Sequence, residues 1–175
     1  AQVRAQAPLR PAHLVNKPRY HSRIPALRDL DDTKVLGSDF FERINAVYLE
    51  QVSATDAALG TLLDALDSSN RGDSTAVIVT STHGDFAGDN HLVETWPGGL
   101  VVVLTRVPVI ASIPGGAQGH VVQEPVQAFD VMATLLELGQ VKPNATHFAR
   151  SLVPQLRGAA GDPTRRVYAE GGFLY

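Results

Sequence analysis

The stretch of residues 75–97 constrains the fold more than any other part of the sequence, because its polarity changes abruptly. It opens with the apolar run Ala-Val-Ile-Val at residues 76–79, which is typical of a buried strand. Ser-Thr-His-Gly-Asp follows at once, and in open α/β sheets functional groups lie just beyond the carboxyl ends of strands. The pattern predicts an interior strand over residues 75–82 of a mostly parallel sheet, with a candidate site at its end. The same polar residues are also common in ordinary turns.

Apolar residues upstream of this strand recur at helical spacing, which predicts one long amphipathic helix over residues 38–67. They are Phe40, Ile44, Val47, Tyr48, Val52, Leu59, Leu62, Leu63 and Leu66. Downstream, the pattern predicts strands over residues 107–113, 119–122 and 166–169, and a short helix over residues 152–156. Helices that alternate with strands indicate a layered α/β fold.

Residues 1–37 differ from the rest of the chain, since four prolines lie among basic and polar residues. Proline fixes φ and removes a backbone donor, so this part is predicted to be an extended Pro-rich arm, and residues 38–175 an α/β body. Apolar residues make up 44% and charged residues 19% of the chain, which is typical of a globular protein.

The charge and the absence of cysteine narrow the range of functions. A net charge of −3 gives no electrostatic reason to expect a nucleic acid or an anionic membrane as partner. No apolar run approaches the length of a membrane span. The chain has no cysteine, so disulfides and thiolate metal sites are excluded.

The frame STHGDFAGDNHLVETWP at residues 81–97 resembles the sulfatases, which are alkaline-phosphatase-like hydrolases. In that family a strand leads into Ser-Asp-His-Gly-Asp or Ser-Asp-Asn-Gly, and a lysine follows thirteen residues after the motif's Asp. Residues 82 and 95 keep this spacing (95 − 82 = 13). The resemblance continues in order through LTRVPVI at residues 104–110, IPGG at 113–116 and FDVMATLL at 129–136.

For the fold, the resemblance implies a mostly parallel sheet flanked by helices. The whole chain would then be a single, partial domain, the C-terminal portion of a sulfatase domain. It also places a helix over residues 128–138, which would bury Phe129, Met132, Leu135 and Leu136 and stop at Gly139.

For the chemistry, the resemblance implies sulfuric ester hydrolysis with Ca²⁺ and a formylglycine nucleophile. Thr82 stands where the family has a metal-ligand Asp, with His83 as the neighbouring metal-site position. Thr95 stands where the family has its sulfate-binding Lys. The formylglycine precursor, a Cys or Ser in a Cys/Ser-x-Pro-x-Arg motif, is absent from this sequence.

The missing nucleophile half and the substitutions at Thr82 and Thr95 lead us to expect a sulfatase-like hydrolase chain that is inactive alone and has an incomplete calcium ligand set. The implied partners are sulfate-ester small molecules or sulfated sugars, and the chain is expected to associate through an uncovered sheet edge. Two alternatives stay open: a catalytically dead module that binds a sugar or a protein, and a phosphonate or phosphodiester hydrolase of the same superfamily.

Overall fold

The computed structural model of the chain describes residues 38–89, 92–93, 95 and 99–171. The predicted arm of residues 1–37 lies outside the described residues. The elements are helix α1 (Ser38–Ser68), a 3₁₀ turn (Gly72–Ser74), strand β1 (Val77–Thr80), helix α2 (Val102–Thr105), strand β2 (Val109–Ser112), helix α3 (Asp130–Leu138) and helix α4 (Val153–Leu156). The long helix is confirmed, and β1, β2, α3 and α4 form inside their predicted ranges.

The described residues divide into two compact units. Among the described residues, the first unit contains residues 38–62, those of His83–Arg106 and Gly171. The second contains Leu63–Thr82 and Val107–Glu170. Within the described ranges, none of the helices has the length and hydropathy that crossing a bilayer requires.

The sheet of the second unit differs from the expected parallel sheet. Among the described residues, β1 pairs only with β2, in an antiparallel register that sets Val77 opposite Ser112 and Thr80 opposite Val109. An interior strand needs a neighbour on each side, and β1 has one in this part of the chain. The strand itself is confirmed, whereas an interior position in a parallel sheet is not seen here.

The strands predicted over residues 119–122 and 166–169 are wrong, since both segments are irregular. A strand is stabilised by its neighbour, and local sequence cannot supply one. The carbonyl oxygen of Tyr168 instead accepts a hydrogen bond from the Gln127 side-chain Nε2 at 2.8 Å.

A fully buried carboxylate, Asp130, is the polar centre of the second unit. Its Oδ1 accepts from the backbone N–H of Arg150 (2.8 Å), and its Oδ2 accepts from the backbone N–H of Gln127 (2.8 Å). The Arg165 guanidinium, with 7% of its side chain exposed, lies 2.6 Å from Oδ2 and neutralises the buried charge. We call Asp130 and these contacts the Asp130 anchor. It holds the segments at Gln127, Arg150 and Arg165 against the start of α3.

Thr134, one turn further along α3, is also fully buried. Its hydroxyl donates to the Asp130 carbonyl oxygen (2.7 Å) and accepts from the backbone N–H of Leu152 (2.9 Å). The Asp130 anchor and Thr134 together turn the polar side of α3 toward the interior of the unit.

The apolar side of α3 faces outward as a consequence, so the predicted burial of its large side chains is wrong. Phe129 and Met132 are 44% exposed and Leu135 is 52% exposed, while Leu136 is half-buried. Two backbone hydrogen bonds and the ion pair with Arg165 hold Asp130 inside, and together they outweigh the burial that hydrophobic spacing alone predicts. The helix ends at Gly139, as predicted.

Candidate functional site

The candidate site loop follows β1 and is held in the first unit by backbone hydrogen bonds. The Gly84 N–H donates to the Leu104 carbonyl oxygen at 2.8 Å. Further along, the Gly88 N–H donates to Leu92 (2.9 Å) and the Asp89 N–H to Phe86 (2.7 Å). These bonds connect the described residues of the loop to one another and to Leu104.

A small apolar cluster supports the loop from within the same unit. Phe86, Leu92 and Leu104 are each about 5% exposed or less, and the partly buried Val101 and Val103 pack against them. Leu104 lies on the single helical turn α2. Phe86 and Leu92 of the loop thus pack in one cluster with Leu104, whose carbonyl oxygen accepts the Gly84 hydrogen bond.

Ala87 has a left-handed backbone conformation, with φ of +46°. For a residue with a side chain this conformation costs free energy, so surrounding contacts must hold it. The Ala87 N–H donates to Asp85 Oδ1 (2.7 Å), and the Ala87 carbonyl oxygen accepts from Asn45 Nδ2 on α1 (3.1 Å). Asn45 was missed by the sequence analysis, because it lies 42 residues away and no local pattern marks it.

Gly84 has no space for a side chain. A Cβ atom built there would lie 1.8 Å from the Val103 carbonyl oxygen, which is far inside van der Waals contact. The close approach is what allows the Gly84 N–H to reach Leu104. Glycine at this position is thus a requirement of the loop geometry.

The residues that the sequence singled out lie around this loop. Thr82 is exposed and comes two residues after the end of β1, in the second unit. His83 is exposed and belongs to the first unit, and its Nδ1 lies 3.0 Å from the Gly84 carbonyl oxygen. Thr95 is half-buried and belongs to the same unit as His83. The structure thus orients His83 by a local contact at the entrance of the loop.

The residues present do not fit the calcium ion that the family implies. In the part of the chain that the structure describes, no three His, Cys, Asp or Glu side chains come together to hold a metal. Calcium prefers several oxygen ligands, carboxylates above all. Thr82 offers a neutral hydroxyl, and one oxygen of Asp85 is already engaged by the Ala87 N–H.

Comparison with a solved structure supports the fold. The chain is similar to the phosphonate monoester hydrolase SpPMH from Silicibacter pomeroyi, with a TM-score of 0.67 and 31% identity over 74% of this chain and 25% of that chain. This likeness gives the chain an alkaline-phosphatase-like α/β fold. The parallel sheet expected from the sequence is not among the strand pairings of the described residues.

The sulfatase family model matches residues 10–141, more than half of the chain. The chain belongs to the sulfatase family.

Two curated relatives that are similar to this chain have different names. The multifunctional alkaline phosphatase superfamily protein PehA of Trinickia caryophylli is 33% identical over 70% of this chain and 23% of its own length. Human iduronate 2-sulfatase is 32% identical over 70% of this chain and 23% of its own length. The chain therefore spans less than a quarter of the length of each of these relatives.

Proposed function

We propose that this chain supplies one part of a sulfuric ester hydrolase site, the loop of residues 81–95 that follows β1. The observation that carries the proposal is the sulfatase match over residues 10–141, which includes this loop. Backbone hydrogen bonds from Gly84, Gly88 and Asp89 hold the described part of the loop. Sulfate esters, including those of sulfated sugars, are the substrate class that this family membership favours. The activity would require groups outside the matched portion.

The chain as it stands is proposed to be inactive on such esters. Hydrolysis of a sulfate ester needs positive charge beside the transferring group, and Thr95 is neutral where the family pattern has a lysine. Losing one contact of this kind costs on the order of 3–4 kcal/mol, or hundreds-fold in rate. Thr82 likewise removes a carboxylate, so we propose that the chain alone is not stabilised by Ca²⁺.

A second candidate, hydrolysis of a phosphonate or phosphate ester, is favoured by one specific observation. The similar solved structure is a phosphonate monoester hydrolase, and its fold overlaps this chain with a TM-score of 0.67. Sulfate and phosphonate monoesters are both tetrahedral anions, so the same loop scaffold suits either. The two candidates differ in whether the sulfate ester or the phosphonate ester is hydrolysed faster when charged residues are restored at positions 82 and 95.

The experiment is a chimera in which this chain replaces the matching segment of PehA. The unsubstituted chimera is compared with the double variant Thr82→Asp plus Thr95→Lys, using an aryl sulfate and a phosphonate monoester. We expect the double variant to hydrolyse the sulfate ester at least about a hundredfold faster, because charge is restored where the transferring group lies. Thr61→Asp, at an exposed threonine of α1, is the control and should change neither rate.

Other results of the chimera experiment would change the proposed function. A gain confined to the phosphonate ester would replace the first candidate with the second. Equal rates in the two chimeras, with both folded, would show that Thr82 and Thr95 are not the site positions. In that case a non-catalytic binding module would be the better account of this chain.

A further inference from the structure

The loop of residues 141–150, which connects α3 to α4, lies on the surface of the second unit. It contains neither helix nor strand, and Asn144 and Ala145 form a bend in it. Residues 141–146 are all exposed, and Phe148 is 93% exposed. The loop therefore presents its side chains to solvent rather than to the interior of the unit.

Backbone hydrogen bonds hold the two ends of this loop and leave its middle open. At one end the Val141 N–H donates to the Leu136 carbonyl oxygen at 2.9 Å. At the other end the Arg150 N–H donates to Asp130 Oδ1 at 2.8 Å. Within the part of the chain that the structure describes, residues 142–149 make no backbone hydrogen bond. The middle of the loop can therefore change conformation, or bind in the active site of a modifying enzyme, without breaking a bond that holds the unit.

At residues 144–146 the loop has the sequence Asn-Ala-Thr, which is the acceptor motif for N-linked glycosylation. The motif requires an amide side chain and, two residues further on, a hydroxyl group. Asn144 and Thr146 are both exposed, and neither side chain hydrogen-bonds to another described residue. Four other asparagines of the chain lack a serine or threonine at the required position: Asn16, Asn45, Asn70 and Asn90.

We propose that Asn144 is an acceptor site for an N-linked oligosaccharide. The donor is an oligosaccharide joined to a lipid through a pyrophosphate group. A bond forms between Asn144 Nδ2 and the anomeric carbon of the first sugar, while the bond from that carbon to the pyrophosphate oxygen breaks. The lipid pyrophosphate leaves with the bonding electron pair, and Nδ2 gives up one proton to a base of the transferase.

The surroundings of Asn144 suit a modification of this size. An N-linked glycan is bulky and hydrated, so it needs a side chain that points into solvent from a surface segment. Exposed loops also accept added groups more readily than helices or strands do. Because the ends of the loop are held at Val141 and Arg150, a glycan at Asn144 leaves the Asp130 anchor intact. The site is separate from the loop of residues 81–95, and the proposal does not depend on the hydrolase function.

The experiment uses the full chain, placed behind a secretory leader and translated in a cell-free system with endoplasmic-reticulum microsomes. A known glycoprotein is translated in the same reaction as a positive control. We expect one species of lower gel mobility, which peptide:N-glycosidase returns to the mobility of the unmodified chain. That enzyme converts a glycosylated asparagine to aspartate, and mass spectrometry should find the conversion at Asn144.

Four variants test whether the motif itself is recognised. Asn144→Gln removes the acceptor, Thr146→Val removes the hydroxyl at nearly constant size, and Ala145→Pro introduces the one residue that the motif excludes. Each should lower the modified fraction to less than about a tenth of the wild-type value. Thr146→Ser is the matched control, since it keeps a hydroxyl and should remain modified. The melting temperatures of Asn144→Gln and Thr146→Val, made without glycosylation, should equal that of the wild type, because neither side chain makes a hydrogen bond in the described structure.

The proposal is overturned if the wild-type chain stays unmodified while the control glycoprotein is modified. It is equally overturned if Asn144→Gln keeps the slower species, or if Thr146→Val is modified to the same extent as Thr146→Ser.

Discussion

The loop of the first unit and the Asp130 anchor of the second unit are held by different forces. The loop depends on backbone hydrogen bonds, the side chains of Asn45 and Asp85, and three buried apolar residues. The anchor depends on a fully buried carboxylate that Arg165 and two backbone N–H groups satisfy. The loop is therefore held by several short-range contacts, whereas a single buried ion pair is central to the anchor.

The largest expected effect comes from Asp130→Ala in the anchor. The change leaves Arg165 buried without its partner and two backbone N–H groups unsatisfied, at an expected cost of about 3–5 kcal/mol in the free energy of unfolding. Urea unfolding followed by circular dichroism measures it. Asp162→Ala removes the exposed ion pair with Arg150 and should have a much smaller effect; equal losses would contradict the comparison.

Gly84→Ala should be the most damaging small substitution in the loop. The added Cβ meets the Val103 carbonyl oxygen at 1.8 Å, and forced overpacking of this kind costs about 1–3 kcal/mol. Gly60→Ala is the matched control, since a Cβ there meets nothing within 4 Å and the residue lies inside α1. It should raise stability by about 0.5–1 kcal/mol. Thermal melts that move in the same direction for both variants would refute the close approach at Gly84.

Asn45→Ala tests the connection between α1 and the loop. The variant loses the hydrogen bond to the Ala87 carbonyl oxygen and should cost about 0.5–1.5 kcal/mol. Asn45→Asp keeps the size but sets a carboxylate against a carbonyl, so its loss should be larger. Amide hydrogen exchange should rise first at Gly88 and Asp89. A loop that exchanges as in the wild type would show that Asn45 does not hold it.

The smallest effect is a pH dependence at Asp162. The Thr164 hydroxyl, followed by its backbone N–H and then Arg150, holds the pKa of Asp162 below its ordinary value of 3.8. Since the folded pKa is depressed, the stabilisation is complete above pH 3.8 and disappears as the pH falls through the folded pKa. Thr164→Val should lower the melting temperature at pH 6 and match the wild type at strongly acidic pH. A difference that grows in acid would contradict this assignment.

Local pattern predicted where α1 and β1 lie in the chain, and it failed where a distant partner decides the outcome. The spacing of Ile44, Tyr48 and Leu59 was enough for α1, and the apolar run was enough for β1. The orientation of α3 was missed because Arg165, 35 residues beyond Asp130, turns its polar side inward. The prediction of a strand over residues 166–169 was wrong for a related reason, since this segment has no strand to pair with in the described residues.

The sequence likewise predicted only part of the candidate site. The motif frame located the loop and its substituted positions, Thr82 and Thr95. The contacts that shape the loop came only from the structure, because Asn45 and Leu104 reach it from distant parts of the chain. Local sequence patterns describe residues that are close along the chain. These contacts depend instead on where α1 and α2 lie relative to the loop.

The missing space at Gly84 also determines which mutations the chain tolerates. A saturation library screened for folded protein should retain glycine almost alone at position 84, because every other side chain begins with the Cβ that Val103 excludes. The exposed Thr82 should accept many residues in the same screen. A chain released from selection on turnover would thus change first at the exposed position and last at the glycine, so its loop would keep the family's shape long after its chemistry had gone.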